Sequence, residues 1–205
     1  MNLDPRQLSI REAYTWMVGL ITPRPIAWVS TLAVDGVTNL APFSFFNGVG
    51  ANPPTIMFCP ANQRDGSRKD TLKNIERTGQ FVVNLVTASV VEAMNLTAGE
   101  YPPEVDEFSV ANVDSAASSS VAPPRVAQCM AALECELHQT IHVGFGPGGA
   151  NVVIGRILEI YVDDALLDDE GGLDPHSMDT IGRMGGLGYV RTSDRFDLPR
   201  PRVGS

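Results

Sequence analysis

Proline and glycine cut this chain into short β-forming runs, and that punctuation sets the strongest limit on its fold. Pro23 and Pro25 forbid helix immediately before Ile26-Ala27-Trp28-Val29-Ser30-Thr31-Leu32-Ala33-Val34, a run that is apolar and β-branched. Asp35-Gly36 is a hairpin signal, with residues 37–43 as the return strand and 44–49 continuing as strand or loop. Asn52-Pro53-Pro54 breaks the chain again before a third strand at 55–59, and a fourth follows at 81–86. Residues 128–143 and 151–162 read as two longer strand regions joined by Gly144-Phe145-Gly146-Pro147-Gly148-Gly149. Helices are predicted at 9–18, capped by Ser9 with Glu12 three residues on, at 67–78, capped by Ser67 and stopped by Gly79, and at 88–97. Long helices between strands are missing, and no G-x-G-x-x-G links a strand to a helix, so a doubly wound dinucleotide fold is disfavoured. The fold class is mainly β, an antiparallel barrel or sandwich with peripheral short helices.

One domain is expected over residues 1–205, with a flexible loop near 114–124, rich in Ala and Ser, and a C-terminal tail near 195–205. A globule of this size exposes about 9,000 Å². The 24 acidic and 15 basic residues give a formal charge of −9, which repels nucleic acid and anionic membranes. An anionic ligand therefore needs a locally positive pocket. No apolar run reaches the length of a membrane span, and the first residues lack the basic-then-apolar pattern of a secretion leader, so neither is expected. Cys59, Cys129 and Cys135 are odd in number and form no C-x-x-C, which argues against a disulfide scaffold or zinc knuckle and for a reducing compartment, most simply the cytoplasm.

One positive pocket is legible. Both lysines of the chain, Lys69 and Lys73, lie with Arg64, Arg68 and Arg77 within 14 positions, around a predicted helix N-terminus. Free backbone N–H groups and the helix dipole favour an anion there, and Lys69 and Thr71 add donors. The segment reads either as a phosphate site or as a solvated helix face. A second segment, Asn39-Leu40-Ala41-Pro42-Phe43-Ser44-Phe45-Phe46-Asn47, mixes apolar walls with a few fixed polar groups. That mixture suits a planar conjugated ligand, and it equally suits a core strand entering a turn.

Taken in order, these segments resemble the flavin reductase-like family, which binds FMN on a split β-barrel, in its flavoredoxin and ferric-reductase branch. The resemblance begins at Thr22-Pro23-Arg24-Pro25-Ile26-Ala27-Trp28-Val29-Ser30-Thr31 and runs through Asp35-Gly36, the 39–47 segment and Asn52-Pro53-Pro54. It continues through Arg68-Lys69-Asp70-Thr71-Leu72-Lys73-Asn74-Ile75, Gly79-Gln80-Phe81-Val82-Val83-Asn84 and Gly155-Arg156 to Arg183-Met184-Gly185-Gly186-Leu187-Gly188-Tyr189, spanning roughly residues 10–195. It implies an antiparallel, Greek-key-like split barrel holding non-covalent FMN, with FAD as a further possibility, at the interface of a homodimer. Carried over by position, Asn39, Leu40, Ala41 and Pro42 line the isoalloxazine edge, and Thr31 and Ser44 donate toward the flavin. Lys69, Asp70 and Thr71 hold the phosphate. Arg24 lies at the cofactor or its pocket wall, and Arg183 and Tyr189 lie near the open ring face or come from the partner subunit.

The implied activity is reduction of flavin by NADH or NADPH, with the flavin carrying the chemistry and reduced flavin or electrons passing to an acceptor such as a partner monooxygenase. The alternatives that the resemblance leaves are a non-catalytic FMN-binding electron carrier and a ferric reductase. Tyr161 stands where relatives often carry a histidine, which bears on the choice of donor. His138 and His142 read as surface or dimer-contact residues and the acidic residues between 163 and 179 as a solvated loop, so no metal site is expected. Trp28 reads as core or interface.

Overall fold

The computed structural model of the protein describes residues 1–203. The last two positions of the expected C-terminal tail, 204 and 205, lie outside the described residues. In chain order the elements are helix α1 (Ile10–Leu20), strands β1 (Arg24–Pro25), β2 (Ala27–Leu32), β3 (Thr38–Phe43), β4 (Phe46–Ala51) and β5 (Pro54–Phe58), then helix α2 (Asp70–Thr78) and strand β6 (Gln80–Leu85). Two short helices follow, α3 (Val91–Leu96) and α4 (Glu107–Val110), then strands β7 (Ser115–Ala116), β8 (Arg125–Val126), β9 (Ala131–Val143), β10 (Ala150–Val162), β11 (Ile181–Arg183) and β12 (Tyr189–Arg191).

Seven strands form one antiparallel sheet in the order β3-β2-β6-β9-β10-β5-β4, and β1, β11 and β12 form a smaller one. Hairpins β2–β3, β4–β5 and β9–β10 supply local pairs, and β6 is inserted between β2 and β9, which gives the Greek-key character. The large sheet curls around one core of Ala27, Val29, Phe43, Phe58, Phe81, Val83 and Val153, closed at its mouth by Leu72 and Ile75 of α2. A second core, with Trp28, Leu40, Met94 and Phe108, fills the opposite face under α3 and α4. Alternation along β2 and β3 divides the two: odd-numbered residues face α2, and Trp28 and Leu40 face α3. This is the mainly β split barrel with peripheral helices.

One expectation is adjusted, and one loop is more firmly anchored than its composition suggests. Helix α2 begins at Asp70, not at Ser67: Ser67 donates its N–H to Asp65 in a tight turn, and Lys69 occupies the N-cap position. Gly79 ends the helix at φ 71°, as its position after Thr78 requires. The segment expected as a flexible loop near 114–124 is stapled at both ends and in the middle. Ser115–Ala116 pairs with Arg125–Val126, and the buried Glu134 carboxylate accepts the N–H groups of Ser119 and Ser120 at 2.6–3.0 Å. Gln80 accepts the N–H of Ala122, and Asn84 that of Val126.

Candidate functional site

The edge strand β3 and the start of α2 meet in a polar cleft. Asn39, Ala41, Pro42, Lys69, Asp70 and Thr71 line it, together with Gln63, Glu107 and the 97–101 loop. Trp28 pins that loop to the sheet, donating its indole N–H to Thr97 at 2.8 Å from a fully buried position.

The cleft offers donors that the fold does not use. The first helical bond of α2 runs from Lys73 N–H to the Lys69 carbonyl, so the N–H groups of Asp70, Thr71 and Leu72 have no intrahelical partner, and no side chain caps them. Neighbouring cations are engaged, Arg68 with Glu76 and Lys73 with Asp70, whereas the half-buried Lys69 forms no ion pair among the described residues. Three free N–H groups beside an unpaired ammonium fit a phosphate. Asp70 contributes through its backbone, since its carboxylate is held by Lys73 at 2.9 Å.

Along β3 the donors are instead removed. The Leu40 N–H points away from β2 and donates to Glu107 at 3.0 Å. Alternation in the antiparallel ladder turns the Pro42 nitrogen the same way, and proline has no hydrogen to leave unpaired there. The Leu40 side chain itself is buried in the second core, so this residue meets the cleft by its backbone alone. Asn39 is fixed on three sides. Its carbonyl oxygen accepts from Thr71 at 2.7 Å and Thr31 at 3.4 Å, and its amide donates to Glu107 at 2.7 Å. Thr31 is fully buried beneath Asn39 and also accepts from Asn74 at 3.1 Å, so it supports the wall from behind.

Arg24 and Ser44 lie at the other end of the strand. Arg24 is 5% exposed, donates to the Val18 and Ile21 carbonyls at the end of α1, to the Met184 carbonyl and to the Ser44 hydroxyl, and lies 6.0 Å from the Phe45 ring centre. Burial lowers its pKa. With its donors so committed, it builds a wall rather than reaching out from one. Arg183 pairs with Arg24 across β1 and β11, binds the Gly186 and Gly188 carbonyls and stacks on Tyr189, whose hydroxyl donates to Asn95. Arg183 and Tyr189 thus form a separate unit on the small sheet. The expected site residues fall into two groups, one at the α2 end and one at the Arg24 end, joined by β3. Asn39 and Ser44 are five positions apart, at most roughly 17 Å of extended chain.

Glu107 was not found from the sequence. It is 7% exposed, and burial raises its pKa against the lowering effect of its Leu40 and Asn39 bonds. It lies on a four-residue helix with no periodicity to reveal which way it faces. The thiols of Cys129 and Cys135 are pushed up to about 12 by burial, which leaves them protonated and inert. Tyr161 packs near Val82 and Ala132, with the Arg125 guanidinium 3.7 Å above its ring.

The family described as flavin reductase like domain matches residues 19–181. An uncharacterized protein of Aquifex aeolicus is 41% identical over 178 residues, covering 87% of this chain and 89% of its own. Among solved structures, nitrilotriacetate monooxygenase component B from Bacillus cereus superposes with a TM-score of 0.91 at 32% identity, covering 97% of this chain and 98% of its own. The Pseudomonas fluorescens 2-nitrobenzoate 2-nitroreductase superposes with a TM-score of 0.89, also at 32% identity, covering 98% and 96%. A family match over most of the chain, on a seven-stranded antiparallel sheet with peripheral helices, means that the chain belongs to the flavin reductase-like family of split-barrel proteins.

Proposed function

We propose that the protein binds FMN along the β3 edge and works as an NAD(P)H-dependent flavin reductase. The observation that carries this reading is the uncapped start of α2 beside Lys69, placed at one end of an edge strand that has lost its outward donors. Lys69 and the N–H groups of Asp70 and Thr71 would hold the phosphate. Asn39, Ala41, Pro42 and the Leu40 backbone would run along the flavin, and Ser44 with the Arg24-braced wall would border the ring. Arg183 and Tyr189 would act from the small sheet or from a partner subunit.

When bound, FMN would supply the redox chemistry that the chain's own side chains lack. The chain's own part is to bind, orient and shield. Lys69 and the helix start neutralise the phosphate, and the acceptor edge of β3 selects the ring's orientation. Phe45 and Phe46 beside Ser44 supply apolar surface where water would otherwise compete. No protein nucleophile or acid–base group is needed. The Bacillus cereus relative is a monooxygenase component, which supports transfer of reducing equivalents to a partner oxygenase. A homodimer completes the proposal, with the exposed face of α1 as the contact.

The test is a flavin titration followed by anaerobic addition of NADH or NADPH. FMN should bind with a shifted absorption band, and one of the two donors should bleach it and then turn over many equivalents of added flavin. Failure to bleach with either donor overturns the reductase; failure to bind FMN overturns the site.

A further inference from the structure

We propose that Glu107 is a positioning residue that decides which hydrogen-bonding groups the β3 edge shows to its ligand. The inference rests on the FMN reading for the identity of that ligand, but not for the geometry. An asparagine amide can face a pocket in either of two orientations, and only its partners fix which one. Here Thr71 and Thr31 are hydroxyl donors on one side of Asn39, and Glu107 is an acceptor on the other. The threonine hydroxyls can rotate to donate or accept, but the Glu107 carboxylate only accepts, so reversal of the amide would set two acceptor oxygens against each other. One orientation is left, with a second amide N–H free on a residue that lines the cleft.

The same carboxylate takes the outward N–H of Leu40 with its other oxygen. Between positions 39 and 42 the strand backbone then offers carbonyls without a competing free donor, and the Asn39 amide supplies the one N–H. Glu107 thereby converts an ordinary strand edge, which alternates donors and acceptors, into a wall of nearly one polarity. It does so by spending one bond of each carboxylate oxygen on the strand, one on Asn39 and one on Leu40. Asp106 beside it caps α4 through the Phe108 N–H and accepts the Thr38 hydroxyl at 2.7 Å, which fixes the helix that carries Glu107 against β3.

The experiment joins amide NMR of the ligand-free protein, ¹⁵N-labelled at asparagine and leucine, with FMN titration well below the melting temperature. In the unmodified protein, the Leu40 amide should resist exchange although it lies on an edge strand, and one Asn39 side-chain N–H should do the same. Rapid exchange of Leu40 would overturn the proposal, and this measurement needs no variant. Glu107→Gln keeps the volume but can accept only through one oxygen. It should collapse the Asn39 side-chain signals toward those of a free amide and weaken FMN by about tenfold or more, the scale of a misplaced charge-assisted hydrogen bond. Glu104→Gln, which removes an exposed acid from the same segment, should change neither. A Glu107→Gln protein with loosened Asn39 signals and unaltered FMN affinity would reduce Glu107 to a packing role and sink the idea. Absence of FMN binding by the unmodified protein would instead remove the cofactor reading, with the amide data still deciding what Glu107 does.

Discussion

At the scale of single residues, the cleft separates groups left free to bind from groups committed to support. Lys69 is the clearest candidate to bind, half-buried and without a carboxylate partner among the described residues, while Lys73 four positions on is spent on Asp70. Lys69→Ala should therefore weaken FMN more than riboflavin, which lacks the phosphate. The expected difference is about 1.5 kcal/mol, the low end for a charge-assisted bond because the site is open to water. Parallel fluorescence titrations of the two ligands measure it, and equal losses would move the phosphate elsewhere. Lysine scarcity made this residue legible in the sequence: with two lysines in an acidic chain, their clustering stood out. Thr31 and Leu40 were legible only as members of the right strand. Which way they point depends on the pairing of β2 with β3, and the structure turns the first under Asn39 and the second into the core. Glu107 carried no signal, since a buried acid on a single helical turn looks in sequence like any surface acid.

Among the elements, the strand runs were readable because proline and glycine mark their ends, and the Asp35-Gly36 turn fixed the β2–β3 pairing. Two features were not readable, the first set by a local turn and the second by side chains distant in sequence. The start of α2 moved from Ser67 to Asp70 because Asp65 captured the Ser67 N–H. The 114–124 segment is composed like a free loop yet is held by Glu134, Gln80 and Asn84 from two strands. Gly155 shows the converse, a residue whose identity is set by packing. It lies at a register shift in β10, and a Cβ there would come within 2.3 Å of the fully buried Phe81 ring. Gly155→Ala should destabilise the fold by about 1–3 kcal/mol, as overpacking does. Denaturant unfolding checks this, and pairing the change with Phe81→Leu should recover part of the loss if the ring is the obstacle.

For the molecule as a whole, the surface is too large for its mass. The chain exposes 12,395 Å², against about 9,000 Å² for a globular monomer of its size. Part of the excess is the C-terminal segment, and α1 adds a cluster of exposed apolar side chains. That helix has a complete capping box between Ser9 and Glu12 and buries one residue, Val18, while Ile10, Tyr14, Trp16, Met17 and Leu20 stay exposed. Such a helix gains little from its own fold and needs a second surface. Beside it, Tyr14, Met17, Phe45 and Pro147 border an apolar hollow of about 960 Å³. A second copy related by a two-fold axis would cover both faces at once, and stable interfaces bury roughly 1,200–2,000 Å² or more, well within the excess. Because Phe45 follows directly on Ser44, this contact would reach the ring end of the proposed groove, and dimerisation and flavin binding would be linked. Sedimentation should give twice the chain mass, and FMN should tighten the association. Met17→Glu puts a charge on the contact without touching Lys69, Asn39 or the start of α2. It should shift the protein toward monomer and weaken FMN and riboflavin alike, since it disturbs the ring end and leaves the phosphate end intact. A variant that stays dimeric, or a monomer that binds FMN as tightly as the parent, would detach the α1 face from the site.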